Sequence, residues 1–87
     1  MKINVVHDFD TYFPAIDQDR KNIEGDCNEL TFVNNTDGNV TINNFNLAVG
    51  DVLILGGNSF EIVKTKFQIQ NVSATSGVLN VIRKRYL

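Results

Sequence analysis

From residue 29 to the end of the chain, apolar and polar side chains alternate in short runs that are separated by turn-forming residues. The run Phe67 to Gln70 is the clearest case, and the run Leu30 to Asn35 shows the same period. A period of two places successive side chains on opposite faces of a β-strand. Six or seven such runs are typical of a small antiparallel β-sandwich or barrel. We therefore predict an all-β fold of jelly-roll or immunoglobulin-like type.

The residues around Asp37-Gly38 allow two hairpin registers. A two-residue turn would set Phe32 opposite Asn43, whereas a three-residue loop pairs Phe32 with Ile42 and gives Gly38 a left-handed conformation. A slip of one residue moves every side chain to the other face of the strand. The three-residue loop collects four apolar side chains on one face: Leu30, Phe32, Val40 and Ile42. We therefore predict the three-residue loop.

The run Val52 to Leu55 is apolar throughout. Such a run predicts a strand that is covered on both faces or that lies at a contact between subunits. Gly56-Gly57 follows it and indicates a tight turn. The apolar pattern then resumes at Phe60 to Val63, and Val78 to Tyr86 forms the last predicted strand.

Residues 1–28 differ from the rest because they are acidic and contain the only proline, Pro14. Proline removes a backbone donor and restricts the residue before it, which disfavours a long helix. We interpret residues 1–28 as an N-terminal arm or irregular lead-in and residues 29–87 as the β-sandwich domain. The aromatic side chains of the arm would dock on its own domain or on a neighbouring copy.

Charge is distributed unevenly along the 87 residues. All ten acidic residues precede residue 62, and five of the eight basic residues follow it. The basic cluster Arg83-Lys84-Arg85 could meet a phosphate, but a solvated strand face or pairing with the acidic arm is favoured. The two ends are expected to attract each other, within one chain or between copies.

Asparagine is the other unusual feature, with twelve in the chain. Asparagine is depleted in strands and favoured in turns. Its abundance predicts a β-protein with many tight turns and polar outer faces.

The sequence contains no recognisable motif for catalysis or for metal binding. A thiol nucleophile needs a nearby base. The chain has a single cysteine, Cys27, and a single histidine, His7, and two isolated residues do not make a catalytic dyad. A calcium loop counted from Asp17 lacks its glycine and glutamate, which are replaced by Asn22 and Asn28. We predict no enzyme activity, no cofactor and no metal site, and we interpret Cys27 as an incidental or packed thiol.

Four stretches of the chain carry a resemblance to a known family, and they are Leu30 to Asn35, Leu47 to Asp51, Leu55 to Ile62 and Val81 to Tyr86. They resemble small β-rich virion structural proteins and domains of bacteriophages that infect Bacteroidetes. The resemblance covers about two thirds of the chain and leaves residues 1–28 outside. It implies a non-enzymatic component of a capsid, vertex, spike or tail that assembles with copies of itself.

The resemblance implies a virion structural protein, made in the host cytoplasm, whose partners are itself and other virion proteins, and the pattern of the residues is compatible with this. A carbohydrate- or receptor-binding module is the alternative, and it would need an exposed platform formed by Tyr12, Phe13 or Tyr86. Nucleic acid is not an expected partner. No run reaches the length of a membrane span. The predicted binding residues are Phe9, Tyr12, Phe13, Val52, Ile54, Arg83 and Arg85.

Overall fold

The computed structural model describes residues 4–15, 21–58, 60–64 and 66–86. Its eight strands form two four-stranded antiparallel sheets. Sheet 1 has the order β1-β8-β3-β6, and sheet 2 has the order β2-β7-β4-β5. The strands are β1 (Val5–Tyr12), β2 (Lys21–Glu24), β3 (Glu29–Thr36), β4 (Val40–Ile42), β5 (Phe45–Leu47), β6 (Val52–Gly56), β7 (Lys66–Asn71) and β8 (Gly77–Tyr86).

Each strand in the first half of the chain pairs with its counterpart in the second half. The pairs are β1 with β8, β2 with β7, β3 with β6 and β4 with β5. The chain is therefore one long antiparallel hairpin whose tip is the turn between β4 and β5. This hairpin is rolled up so that β8 also pairs with β3 and β7 also pairs with β4. The topology is that of a jelly roll, and the predicted all-β sandwich is confirmed.

Two asparagines make the turn at the tip of the hairpin. Asn43 and Asn44 have φ angles of 48° and 67°, as a two-residue type I′ turn requires. Asparagine tolerates this left-handed region better than other non-glycine residues do. The Asn43 Oδ1 also accepts a hydrogen bond from the Gln68 amide at 2.8 Å. The prediction that asparagine marks tight turns therefore holds at Asn43 and Asn44. Six other asparagines lie within strands, namely Asn22, Asn34, Asn35, Asn46, Asn71 and Asn80.

The core lies between the sheets and is filled by their inward-facing side chains. Phe32 of sheet 1 meets Phe67 of sheet 2 edge to face, with ring centroids 5.6 Å apart. Full burial of a side chain of this size stabilises the fold by roughly 1.5–3 kcal/mol. The other buried apolar residues of the strands are Ile23, Leu30, Val40, Ile42, Leu47, Ile69, Leu79 and Val81.

The predicted register around Gly38 is wrong, although the predicted buried face is correct. β3 and β4 lie in different sheets, so Phe32 pairs with Val81 and Leu53 rather than with Ile42. Gly38 is not among the residues with positive φ. A Cβ at this position would lie 2.4 Å from the carbonyl carbon of Ser73. Glycine is therefore required here because two loops approach each other closely.

The side chain of Asn34 is fully buried and links three segments of the chain. Its Nδ2 donates to the carbonyl oxygens of Gly38, Leu47 and Ala48 at 3.0, 2.8 and 3.1 Å. Its Oδ1 accepts from the amide of Thr36 at 3.0 Å. A buried amide with partners for both its ends avoids the penalty of an unpaired polar group.

The prediction of an irregular N-terminal lead-in is corrected by the structure. β1 runs beside β8 along its whole length, and β2 pairs with β7, so this segment contributes one edge strand to each sheet. The alternation that identifies β1 was obscured by charge, since its inward positions Asp8 and Asp10 are carboxylates. Residues 1–3 and 16–20 of the predicted arm lie outside the described residues.

Three further predictions concern residues 52–63. The apolar run is the strand β6, but it is an edge strand whose outward side chains Val52 and Ile54 are exposed, so it is not covered on both faces. Gly56 and Gly57 have positive φ and end the strand, as predicted. The predicted strand Phe60 to Val63 is wrong, because only Val63 forms an isolated bridge, to Cys27. No helix among the described residues is long and apolar enough to cross a membrane.

Candidate functional site

The outer face of sheet 1 carries an exposed apolar surface. Side chains opposite each other across the ladders form a row from Phe9 through Ile82 and Thr31 to Ile54. A second row places Val33 beside Val52. Phe9 is 72% exposed and Ile54 is 58% exposed. We call this set the apolar stripe, and it consists of Phe9, Val33, Val52, Ile54 and Ile82.

The apolar stripe spans all four strands of sheet 1. Neighbouring strands lie about 4.8 Å apart, so the distance from Phe9 on β1 to Ile54 on β6 is about 14 Å. Successive side chains of a strand point to opposite faces of the sheet. The members of the stripe occupy the outward positions, and the side chains between them face the core. A rigid sheet therefore presents these side chains in fixed positions.

A shallow depression of about 300 Å³ lies at the β1 end of the stripe. Phe9, Ile82 and Thr31 line it on one side. The other side is polar, because the adjacent row of the sheet consists of His7, Lys84 and Glu29. Apolar lining with a few convergent polar groups is the usual composition of a ligand-binding surface or of the edge of a protein interface.

The polar side of the depression is held together by interactions along the sheet. Lys84 Nζ lies 3.9 Å from a carboxylate oxygen of Glu29 and 5.1 Å from the ring centroid of Tyr86. The interaction with Tyr86, and to a lesser degree Glu29, raises the pKa of Lys84. The ring of His7 stacks on that of Phe9 with centroids 6.4 Å apart.

The outer face of sheet 2 is different in character. The outward positions of its two central strands are occupied by Thr41, Lys66, Gln68 and Gln70, and all of them are polar. An antiparallel sheet with a solvated outer face normally shows this polar pattern. The asymmetry between the two outer faces marks sheet 1 as the side of the molecule suited to contacts with another molecule.

A second apolar surface opens between the sheets at the edge formed by β5 and β6. It is a depression of about 230 Å³ lined by Ile42, Asn43, Phe45, Leu53, Leu55 and Phe67. Phe45 is more than half exposed although it pairs with the buried Ile42. The core is therefore incompletely covered on this side.

The basic residues predicted to bind a partner are engaged within the chain. Arg83 pairs with Asp10, and Arg85 pairs with Asp8, each across the β1–β8 ladder and offset by two residues. The Nε of Arg85 also donates to the carbonyl oxygen of Asp26 at 3.0 Å. The predicted attraction between the acidic and basic ends is thus intramolecular among the described residues.

The remaining predicted residues fall in several places. Phe9, Val52 and Ile54 come together on the outer face of sheet 1. Tyr12 packs against the core, and Phe13 is exposed just beyond the end of β1. Tyr86 pairs with Val5 at the opposite end of the β1–β8 ladder. The three candidate aromatics for a sugar platform therefore do not form one surface.

Several residues of the outer face were missed by sequence reasoning, namely His7, Val33 and Ile82. The alternation of residues 5–12 could have identified His7 as an outward-facing residue. That alternation is recognisable only when Asp8 and Asp10 are assigned to the inward face of the strand. Phe60, where the sequence predicted that the apolar pattern resumes, is 93% exposed in a turn.

Cys27 is buried, and desolvation raises the pKa of its thiol. Its burial makes Cys27 a packed thiol, which is one of the two interpretations given from the sequence. His7 lies on the exposed outer face of sheet 1. The described residues contain no group of three or more histidine, cysteine, aspartate or glutamate side chains that could hold a metal ion. No family model matches the chain, and neither a curated protein nor a solved structure matches it.

Proposed function

We propose that this chain is a structural protein of a bacteriophage particle, a component of the capsid, vertex, spike or tail. It acts by assembling with copies of itself and with other particle proteins, and it resides in the virion after synthesis in the host cytoplasm. The observation that carries the proposal is the apolar stripe. Contiguous exposed apolar surface on a small soluble protein commonly marks a site of protein–protein contact.

The layout of the outer face of sheet 1 supports a contact surface. The apolar stripe forms a centre, and His7, Lys84 and Glu29 form a charged row beside it. Protein interfaces have the same arrangement, with an apolar centre that loses water and a polar rim that stays wet. Aromatic side chains are enriched in such centres, and Phe9 is the most exposed member of the stripe.

The fold adds support by analogy only. Jelly rolls occur in viral capsid proteins and in lectins, among other classes. The stretches that carry the sequence resemblance fall in both strands and turns. Leu30 to Asn35 lies within β3 and Val81 to Tyr86 within β8, whereas Gly56-Gly57-Asn58 ends β6.

Peptide mass spectrometry of purified particles tests the proposal, using the phage that encodes the chain. We expect peptides of this chain to co-purify with the particles in a fixed ratio to the other structural proteins. Abundant peptides in the infected lysate together with their absence from the particles would overturn the proposal.

A carbohydrate-binding module is the second candidate, and the depression beside Phe9 is the observation that favours it. An exposed aromatic ring next to His7, Glu29 and Lys84 offers both a stacking surface and hydrogen-bonding groups for a sugar. Titration calorimetry with simple mono- and oligosaccharides distinguishes the two candidates. Saturable binding that Phe9→Ala abolishes in a folded protein favours the sugar module over assembly through this face.

A further inference from the structure

The four edge strands of the sandwich differ in how they are protected. The edges are β1 and β6 in sheet 1 and β2 and β5 in sheet 2. An edge strand exposes unpaired N–H and C=O groups that another chain can use to extend the sheet. Natural proteins prevent this with short edges, inward-pointing charges, prolines or bulges.

Three of the edges carry such protection. β1 has two carboxylates on its inward face, Asp8 and Asp10. β5 has only three residues, and β2 has four, of which the first and last are charged. β6 has none of these features: its sequence is Val-Leu-Ile-Leu-Gly, and its register with β3 runs without a bulge.

The hydrogen bonds at the two ends of β6 show which backbone groups are free. The amide of Asn34 donates to the Asp51 oxygen at 3.0 Å, and the amide of Gly57 donates to the Asn28 oxygen at 2.9 Å. In an antiparallel ladder the bonded pairs occur at every second residue. Among the described residues, the N–H and C=O groups of Val52, Ile54 and Gly56 therefore point away from β3.

The side chains around this edge are apolar on both faces of the sheet. Val52 and Ile54 are exposed on the outer face, where they end the apolar stripe. On the inner face, Leu53 and Leu55 border the depression that also exposes Phe45. A strand added at this edge would extend the stripe and cover the opening between the sheets in one step.

We propose that β6 pairs with the β6 strand of a second copy to form a continuous eight-stranded antiparallel sheet. Ile54 lies on the two-fold axis and faces the partner's Ile54, and Leu53 faces the partner's Leu55. This register uses all three outward-pointing residues of the strand. The strand carries no charge, and the nearest acid, Asp51, falls opposite the partner's Gly57 rather than the partner's Asp51, so the contact brings no like charges together.

This contact deepens the proposed self-assembly and rests on it, and it uses only the β6 end of the apolar stripe, Val52 and Ile54. A stable interface buries about 800 Å² per partner, which is about 15% of the 5405 Å² that the chain exposes. The backbone edge alone is too small for that area. The exposed side chains beside it, Phe45, Val49, Val52 and Ile54, supply the additional apolar surface.

Disulfide trapping tests the register. Directly opposite, hydrogen-bonded residues have Cα atoms about 5.5 Å apart, which is within the range of a disulfide. In a Cys27→Ala background, Ile54→Cys is expected to form a dimer under mild oxidation at least tenfold faster than Val72→Cys, a matched control at an equally exposed position in the loop after β7. Equal rates for the two cysteines would overturn the proposed pairing.

A proline substitution separates the backbone edge from the side-chain surface. Ile54→Pro removes an N–H that β3 does not use, so the fold is expected to persist, whereas Ile54→Thr keeps this N–H and loses apolar surface. Circular dichroism reports folding, and analytical ultracentrifugation reports association. We expect Ile54→Pro to weaken dimerisation at least tenfold and more than Ile54→Thr does.

The opposite order of the two variants overturns edge pairing and leaves self-assembly standing. Wild-type association that neither variant changes has the same consequence. A wild-type chain that does not associate overturns both proposals.

Discussion

The side-chain amide of Asn34 donates a hydrogen bond of 2.8 Å to the carbonyl oxygen of Leu47, which joins β3 of sheet 1 to β5 of sheet 2. Asn34 also donates to the carbonyl oxygens of Gly38 and Ala48. These hydrogen bonds tie the end of β3 to the segments before β4 and after β5. Replacing Asn34 with alanine leaves buried carbonyl oxygens without their donor, at about 1–3 kcal/mol for each such group.

We expect Asn34→Ala to lower the free energy of unfolding by about 2–4 kcal/mol. Urea unfolding measures this change. Asn35→Ala is the matched control, because Asn35 is the next residue of the same strand and is exposed. An equal loss in both variants would contradict the structural role of Asn34.

The two ion pairs across β1 and β8 should differ in strength. The Arg83 side chain is 12% exposed, whereas that of Arg85 is 34% exposed. An ion pair removed from water is screened less than an exposed one. We expect Asp10→Asn to cost about 1 kcal/mol and Asp8→Asn about half as much or less, measured by urea unfolding at low salt. A larger loss for Asp8→Asn would contradict the exposures in the structure.

Asp37 gives the fold a defined dependence on pH. Its carboxylate accepts hydrogen bonds from the Thr75 hydroxyl and from the backbone amides of Ser76 and Thr75, and these bonds lower the pKa of Asp37 well below its usual value. Because the folded pKa is depressed, the contribution to stability is complete above the unfolded value, near 3.8. It is lost as the pH falls below that value.

The comparison of wild type with Asp37→Asn isolates this effect from the other carboxylates. We expect wild type to be more stable at pH 7 and at pH 5, and we expect the difference to shrink as the pH is lowered from about 4 to about 2. Urea unfolding at each pH measures the difference. A difference that stays constant through this range would show that the ionised carboxylate of Asp37 has no special role.

The apolar stripe should control association without controlling folding. Phe9→Lys places a charge at the β1 end of the apolar stripe and is expected to weaken self-association at least tenfold, or about 1.4 kcal/mol. Val72→Lys is the matched control, since Val72 is a similarly exposed apolar residue in the loop after β7. Sedimentation equilibrium of both folded variants measures the effect. Equal association constants would remove the stripe from the contact.

The fold class could be predicted from the sequence because alternation is strong in residues 29–36 and 66–71. The buried set Leu30, Phe32, Val40 and Ile42 was also predictable, since burial depends on the local period. The pairing of the strands was not predictable, because the jelly roll joins strands that are far apart in sequence and places β3 and β4 in opposite sheets. A local register rule assumes that neighbouring strands form a hairpin.

The candidate site was only partly predictable for a related reason. Phe9, Val52 and Ile54 were identified individually, but their common face depends on β1 and β6 lying at the two edges of one sheet. Asp8 and Asp10 concealed β1, because inward carboxylates break the apolar alternation expected of a strand. Their arginine partners stand more than seventy residues away, so no local pattern reveals the pairs.

Native mass spectrometry of the purified wild-type chain, from about 1 µM to about 1 mM, tests most directly whether this molecule acts by assembly. Specific complexes of micromolar to millimolar affinity populate that range. We predict dimers and larger species that increase with concentration and decrease in Phe9→Lys. A chain that remains monomeric over the whole range, with an intact β-rich circular dichroism spectrum, would contradict assembly as its function.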